Sequence, residues 1–549
     1  MSELNYINSK KNIILYLGLI LTLGLSLRFY YLPYDVPIAT DGFYSFVYAA
    51  KTVFEGNLPV GYGTTNSGWA NFLALFFSLS DTSDPFYLMQ IQRSLSVILS
   101  SLTIIPAFFI FRKFVNVRWA LFGCLLLIIE PRLLMSSLEG INYQLFFLLF
   151  VLAIALFLTK TNLTLFLSFG CIACATLVRY EGLLLLIPLS TMYFLKFKDK
   201  KSVVKFLGMI FIVIIILAPI SVLRIQATEN LCYETSFGVR CGSDGFTHNI
   251  LVGQRFLSHT LNAALGQEVS ETAIYLFNEN NEKTDNYAVL FVNKIIVSFS
   301  ALLKFIGLAL IPYFAFFVLY NIILRIKNKK SIKLDWDKKM IVFTVSIMFL
   351  PALYAYMRGI EEIRYVLIII PLVCILSISW TNSISEKISK NLGVIIILMV
   401  LVLISSIIFI EFEKRDSIHD RESFLISQKI VELTNITNSF HQSGYVKTAV
   451  LSSSWPVLPE ASQNGKPIHV FQKVSTNDYD DLAEFIIDSR KYDLRYLVVD
   501  EDNELFAALR INPTVYPYLI KIFDSDEVGY KNHFMIYEID YKLVGSNDK

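Results

Sequence analysis

The chain has 549 residues, a formal net charge of +2, 54% hydrophobic and only 17% charged residues, and a mean hydropathy of +0.54. Ordinary soluble domains carry about a quarter charged residues, so a water-soluble multidomain enzyme, a disordered chain and a collagen-like rod are excluded. Six cysteines are too few for a disulfide scaffold, and the near-balanced charge gives no basis for nucleic-acid binding.

What remains is a polytopic α-helical membrane protein. Crossing the hydrocarbon core takes about 20 mostly apolar residues. Stretches of that kind lie at 12–32, 86–111, 119–137, 141–159, 162–179, 182–197, 203–223, 305–324, 340–357, 363–381 and 392–411, which predicts about 11 spans. The first ends in Arg28-Phe-Tyr-Tyr-Leu-Pro33, a poor cleavage site, so it reads as an anchor rather than a removed leader. Residues 288–303 are apolar but interrupted by Lys294, which predicts an interfacial helix ahead of the eighth span.

Lys and Arg set the orientation. Twenty Lys and Arg, among them Lys10, Lys11, Arg112, Lys113, Lys196, Lys198, Lys200, Lys201, Lys327, Lys329 and Lys330, fall on one side, whereas the other side's short loops and span ends hold six, Arg28, Lys51, Arg132, Arg179, Arg358 and Arg364. The expected topology is a multi-pass protein of the plasma membrane with a cytoplasmic N-terminus and an extracytoplasmic C-terminal domain. Two domains follow: a catalytic membrane part, 1–411, with outside loops 33–85 and 224–287, and a tail, 412–549.

In chain order, the first outside loop opens with Ala39-Thr-Asp41-Gly-Phe-Tyr44. Asp-Gly is a common turn dipeptide, but a carboxylate at a membrane boundary also needs a reason to be there. The loop continues through an amphipathic stretch to Asn66-Ser-Gly-Trp69-Ala-Asn. Arg93 lies inside the second span, the main ionisable group away from the outer face. Glu130 precedes Pro131 and reads as a helix cap, while Glu139, in Ser-Ser-Leu-Glu-Gly, sits in the outer turn between spans three and four.

Cationic candidates come next. Arg179-Tyr-Glu181 follows span five, and Arg358-Gly-Ile-Glu361-Glu362-Ile-Arg364-Tyr365 joins spans nine and ten. A planar guanidinium suits bidentate contact with phosphate. Local ion pairs, Arg179 with Glu181 and Arg364 with Glu361, are the alternative reading of the same residues. Taken together they put carboxylates and guanidiniums on one membrane face, the inventory for a lipid-linked phosphate substrate.

Loop 224–287 carries Cys232 and Cys241 on the oxidising side, where a small closed loop predicts a disulfide. Asp244, His248 and Arg255 in the same loop are polar candidates for an acceptor groove. The tail alternates β-branched and aromatic runs at 445–454, 467–473, 494–500 and 533–540 with helical patterns at 420–437 and 478–490, the mark of a small α/β domain with a partly parallel sheet. It shows no catalytic motif and reads as a lid or acceptor-handling module. Its Asp-x-Asp triplets, Asp478–Asp480, Asp500–Asp502 and Asp524–Asp526, read as solvated surface. Asn435-Ile-Thr437 is an outside glycosylation sequon.

The layout resembles the GT-C superfamily of polyprenyl-phosphate-sugar-dependent glycosyltransferases, in particular the protein O-mannosyltransferase and aminoarabinose-transferase branch. The resemblance rests on Asp41 after span one, the Gly68-Trp69 segment, the acidic turn at Glu139, and the Leu177-Val-Arg-Tyr-Glu-Gly and Glu361-Glu-Ile-Arg-Tyr segments. It implies an inverting transfer of sugar from a polyprenyl-phosphate donor to an extracytoplasmic acceptor, a protein, lipid or glycan. Asp41 would then be the catalytic carboxylate and Glu139 its partner in the same role, while Arg179, Arg358, Arg364 and Tyr365 would bind the donor phosphate. Tyr44, Trp69, Asp244 and His248 would line the acceptor groove. A divalent cation, if one is used, would sit on Asp41 and Glu139. The tail lacks a Trp-Trp-Asp-Tyr-Gly signature, and Asp41 lacks a second adjacent acid. The competing reading is a transporter or flippase of a lipid-linked intermediate, a class marked by internal repeats and broken mid-membrane helices.

Overall fold

The structure, a computed structural model, describes residues 10–38, 40–55, 67–80, 84–228, 232–235, 238–241, 287–310, 335–357, 363–384, 392–413, 447–451, 462–463, 466–467, 481–490, 494–499 and 516–544, with single positions between 418 and 429. From the N-terminus the helices are α1 (Lys10–Tyr31), α2 (Thr40–Glu55), α3 (Gly68–Phe77), α4 (Pro85–Leu102), α5 (Ile104–Phe114), α6 (Val117–Ile128), α7 (Pro131–Leu138), α8 (Tyr143–Thr159) and α9 (Asn162–Val178). A 3₁₀ turn, Tyr180–Leu185, leads into α10 (Leu186–Lys196) and α11 (Lys200–Thr228). After the short hairpin β1 (Cys232–Thr235) and β2 (Gly238–Cys241) come α12 (Tyr287–Leu310), α13 (Trp336–Met348), α14 (Leu350–Met357), α15 (Arg364–Leu367), α16 (Ile370–Ile384) and α17 (Leu392–Glu413).

Helices apolar on every side have two solutions, the interior of a bundle or the lipid. Helices α6 and α8 take the first. Trp119, Phe122, Phe146, Phe150 and Phe157 are fully buried there. Lipid tails are as apolar as these side chains, so close packing and polar contacts hold such helices together. Small residues let α8 and α9 approach, and the Ser168 hydroxyl donates to Ala153 O across the pair at 2.7 Å. Helices α1, α11 and α17 take the second solution. They present Ile14 (71% exposed), Val204 (70%) and Ile397 (61%) outward, an apolar surface that fits acyl chains rather than water.

Four helical stretches among the described residues, Lys11–Tyr31, Phe86–Phe114, Lys200–Ile220 and Trp336–Tyr356, are long and apolar enough to cross a membrane. The pair α6–α7, bent by 47°, is apolar enough for a fifth, as a broken span or a re-entrant loop. Its bend has a local cause: Pro131 has no N–H with which to continue α6, and as the first residue of α7 it restarts the chain in a new direction. Glu130, fully buried, caps that restart by accepting from Leu133 N–H at 2.6 Å. The break expected near residue 303 is absent, because α12 runs uninterrupted from Tyr287 to Leu310. Lys294 alone cannot stop a helix whose backbone bonds are all internal.

The chain divides into two compact units. One holds Met1–Leu32, Pro59–Trp69 and Arg93–Glu413; the other joins Pro33–Leu58 and Ala70–Gln92 to Lys414–Lys549. The sequence reading had grouped those two segments with the membrane part. In the second unit, β3 (Lys447–Leu451), β6 (Leu494–Val499), β8 (Met535–Ile539) and β7 (Leu519–Asp524) form a sheet in the order β3-β6-β8-β7, with a two-residue pair β4 (Ser462–Gln463) and β5 (Lys466–Pro467) apart from it. Strand β3 runs parallel to β6 and the other pairs are antiparallel. Alternate residues Leu497 and Val499 of β6 and Met535, Tyr537 and Ile539 of β8 share one face. Leu482, Phe485 and Ile486 of α18 (Leu482–Ser489), spaced as one helical stripe, close over it. Strand β7 was not foreseen from the sequence. Also in this unit, Phe46 of α2 meets the ring of Phe77 of α3 at 5.9 Å, and Gln92 donates to Gly42 O at 2.8 Å.

Candidate active site

The acidic turn between α7 and α8 is where the described side chains of the first unit converge. Helix α7 ends at Leu138, Glu139 caps it, and Gly140 takes a left-handed φ of 69°. Glycine suits that position because it has no Cβ to clash. The turn throws the Glu139 side chain to the surface, where it is exposed. Two side chains hold the backbone around it, and a third contact joins the flanking helices. Arg93, 4% exposed, donates from Nε to Leu138 O at 3.1 Å. Trp69, 0% exposed, donates from Nε1 to Gly140 O at 3.0 Å. On the α8 side, Gln144 donates to the Ser136 hydroxyl at 2.9 Å.

Arg179, at the C-terminal end of α9, reaches the next residues of the same turn. Its Nη1 donates to Asn142 Oδ1 at 3.1 Å and its Nη2 to Glu181 Oε1 at 2.6 Å, while its guanidinium carbon lies 4.0 Å from the centre of the Tyr143 ring. The local Arg179–Glu181 pair considered from the sequence is therefore formed. Two donors in this cluster make no hydrogen bond within the described residues: Arg179 Nε and the hydroxyl of Tyr143, a residue only 2% exposed. A buried donor without an acceptor is costly in a folded protein, by about 1–3 kcal/mol. Arg364 and Tyr365, at the start of α15, lie close enough to act electrostatically on Tyr143, and Tyr365 likewise on Arg179. The Arg364 guanidinium carbon sits 5.4 Å from the Tyr365 ring. Just beyond, Val366, Ile369, Ile370 and Val373 line an apolar cavity of about 160 Å³ with Ile306 and Leu310 of α12.

The structure thus brings Glu139, Arg179, Arg364 and Tyr365 into one unit. Asp41 stands in the first turn of α2, in the other unit; Tyr44 lies on the same helix. Arg358, Asp244, His248, Arg255 and the Asn435 sequon lie outside the described residues. Trp69, expected in the acceptor groove, is wholly buried, with its ring nitrogen spent on the turn. Sequence reasoning missed Asn142 and Tyr143, which follow Gly140 after a single residue, Ile141; a polar pair ahead of an all-apolar helix was the available signal. Cys232 and Cys241 stand opposite each other in the β1–β2 ladder.

One metal-type cluster occurs among the described residues, outside this site: Asp524, Asp526 and His533, with ligand atoms within 4.8 Å of one another. Asp524 already accepts from Lys521 Nζ at 2.9 Å and from the Asp526 N–H at 3.1 Å. The Lys521 ammonium already on the Asp524 carboxylate opposes a cation there.

The fold is shared with solved structures of an oligosaccharyltransferase and of ArnT. It is similar to the oligosaccharyltransferase of Archaeoglobus fulgidus in complex with zinc and sulfate, with a TM-score of 0.53 at 12% identity over 92% of this chain and 71% of that one. The same enzyme tethered with an acceptor peptide containing the NVT sequon matches with a TM-score of 0.53 at 12% identity, over 90% and 70% of the two chains. ArnT from Cupriavidus metallidurans bound to undecaprenyl phosphate matches with a TM-score of 0.53 at 11% identity, over 96% of this chain and 98% of that one. No protein-family model and no curated protein matches the sequence.

Proposed function

We propose that the chain transfers a sugar from a polyprenyl-phosphate donor to an acceptor on the extracytoplasmic side, with inversion at the sugar carbon. The observation that carries this reading is the pair of unsatisfied buried donors, Tyr143 hydroxyl and Arg179 Nε, within electrostatic reach of the Arg364 cation, whose helix α15 also lines an apolar cavity through Val366. A lipid phosphate matches that combination, since its oxygens accept hydrogen bonds and its tail takes an apolar lining. Arg364 is the principal phosphate ligand in this reading, with Tyr365 hydrogen-bonding and Arg179 adding charge from behind its pair with Glu181; Arg358 would join from the preceding loop.

Asp41 takes the acceptor proton as the nucleophile attacks the anomeric carbon; the bond from that carbon to the phosphate oxygen breaks, and polyprenyl phosphate leaves with its charge held by the guanidiniums. Glu139 orients the acceptor. A Cys232–Cys241 disulfide fits the same outside location. Directly opposed antiparallel residues have Cα atoms about 4.5–5.5 Å apart, within the roughly 4.4–6.8 Å a disulfide spans.

Two variants test the reading in the full chain reconstituted in nanodiscs. Asp41→Asn abolishes sugar release from a radiolabelled polyprenyl-phosphate hexose to an envelope extract, a fall of about 10²–10⁴-fold if Asp41 is the base. Undiminished transfer removes Asp41 from that role. Arg364→Ala raises the donor KM about tenfold or more while leaving the acceptor KM unchanged, as loss of a charged hydrogen bond of about 1.5–3 kcal/mol requires. Equal effects on both substrates refute phosphate binding by Arg364.

A further inference from the structure

Glu139 is the exposed residue of its turn, yet both carbonyls that flank it are anchored by side chains from other helices. Leu138 O is bound by Arg93 of α4 and Gly140 O by Trp69 at the start of α3. A buried arginine in a membrane-spanning helix is rare and expensive, and usually faces the bundle interior with a specific partner. Here Arg93 donates to a backbone carbonyl one residue from an exposed carboxylate. Trp69 reaches its carbonyl because Gly68 lets the start of α3 press on the end of α9: a Cβ on Gly68 would lie 2.4 Å from Leu177 O. The same close approach brings α3 beside Leu177, two residues before Arg179. One small region of packing therefore sets both the acidic turn and the arginine next to it.

We propose that Arg93 and Trp69 are positioning residues for the transfer reaction: by fixing the carbonyls on either side of Glu139 they hold its exposed carboxylate at one place and direction toward the acceptor. The inference rests on the glycosyltransfer reading above. Trp69 thereby acts behind the acceptor site rather than as part of its wall. An exposed glutamate on a mobile turn would sample many directions. Clamped on both sides it keeps the geometry that acceptor orientation demands, where a displacement of about 1 Å is enough to lose roughly 10²-fold in rate.

The test is a double-mutant cycle in the full chain in nanodiscs, with radiolabelled polyprenyl-phosphate hexose as donor and an envelope extract as acceptor. Trp69→Phe keeps the ring and removes the donor, and Arg93→Gln removes the charge and the fork. Each lowers kcat about tenfold or more with the donor KM within twofold, and hydrogen exchange quickens at 139–143 while α8 and α9 stay protected. Arg93→Lys recovers part of the rate. In a Glu139→Gln background neither variant lowers the rate further, because the group they position is gone. If each costs the same fold in that background as in wild type, the residues serve packing alone and the proposal falls. Wild-type protein that transfers no sugar from any polyprenyl-phosphate donor overturns the glycosyltransfer reading and the proposal with it, whereas active wild type with multiplicative costs overturns the positioning role only.

Discussion

Gly68 illustrates how one missing methyl group organises a site. A Cβ there would sit 2.4 Å from Leu177 O and 2.9 Å from Val178 N, both backbone atoms that cannot swing away. Gly68→Ala therefore pushes α3 from α9, and we expect a loss of about 1–3 kcal/mol, as for other overpacked positions. Thermal unfolding in detergent measures it, with Gly18→Ala as the control, since a Cβ at Gly18 meets nothing within 4 Å. The Gly-Trp dipeptide was visible in the sequence as a feature; its meaning was not. Trp69 and Gly140 are 71 residues apart, Arg93 and Leu138 45, and Arg179 and Asn142 37. No local pattern encodes such pairs. What the sequence did expose was residue type against location, an arginine within a span and a glutamate in an outer turn, and those are the residues the clamp connects.

At the scale of elements, the β7–β8 hairpin shows charge doing local work. Burial alone would raise the Asp524 carboxyl, but hydrogen bonds from Lys521 and the Asp526 N–H, with the charges of Lys521 and His533, outweigh it and hold it below the usual carboxylate range. The Lys521 ammonium is held above its ordinary value, chiefly by its hydrogen bond to Asp524. A depressed carboxylate stabilises the fold above the unfolded value, about 3.9, and that contribution disappears as pH falls through the lower folded one; a raised ammonium stabilises below about 10.4, and its contribution disappears as pH rises through the higher folded one. The hairpin is accordingly most stable between roughly pH 4 and 10. Asp524→Asn removes about 1 kcal/mol at pH 7, a modest figure because Lys521 is partly solvated, and the difference from wild type vanishes in strong acid. Urea-dependent hydrogen exchange of the β7–β8 amides in the intact chain reads it; a difference that persists at pH 2 contradicts the ion pair. Strands β6 and β8 were legible because branched and aromatic residues cluster there. Leu-Ile-Lys-Ile-Phe-Asp of β7 escaped notice, as its edge position leaves Ile520 exposed and breaks the alternation.

For the whole molecule, composition was sufficient to place the chain in a membrane, and hydropathy located most of its helices within a few residues. It could not show that α6 and α7 bend at Pro131 or that α12 continues through Lys294, because windowed hydropathy records how apolar a segment is and not whether its backbone bonds are interrupted. Nor could it separate interior from lipid-facing helices, since α8 and α11 are both nearly uniform in polarity along their lengths. That separation has a mechanical outcome. Helix α8, with 17 residues, is about 26 Å long, shorter than the roughly 30 Å of hydrocarbon, whereas the 29-residue α11 reaches about 44 Å. Only the outward-facing helices register the thickness of the surrounding bilayer, and they absorb a mismatch by tilting. The short interior helix α8, which leads out of the acidic turn, is shielded from that adjustment, so the geometry of the turn can be kept in membranes of different thickness.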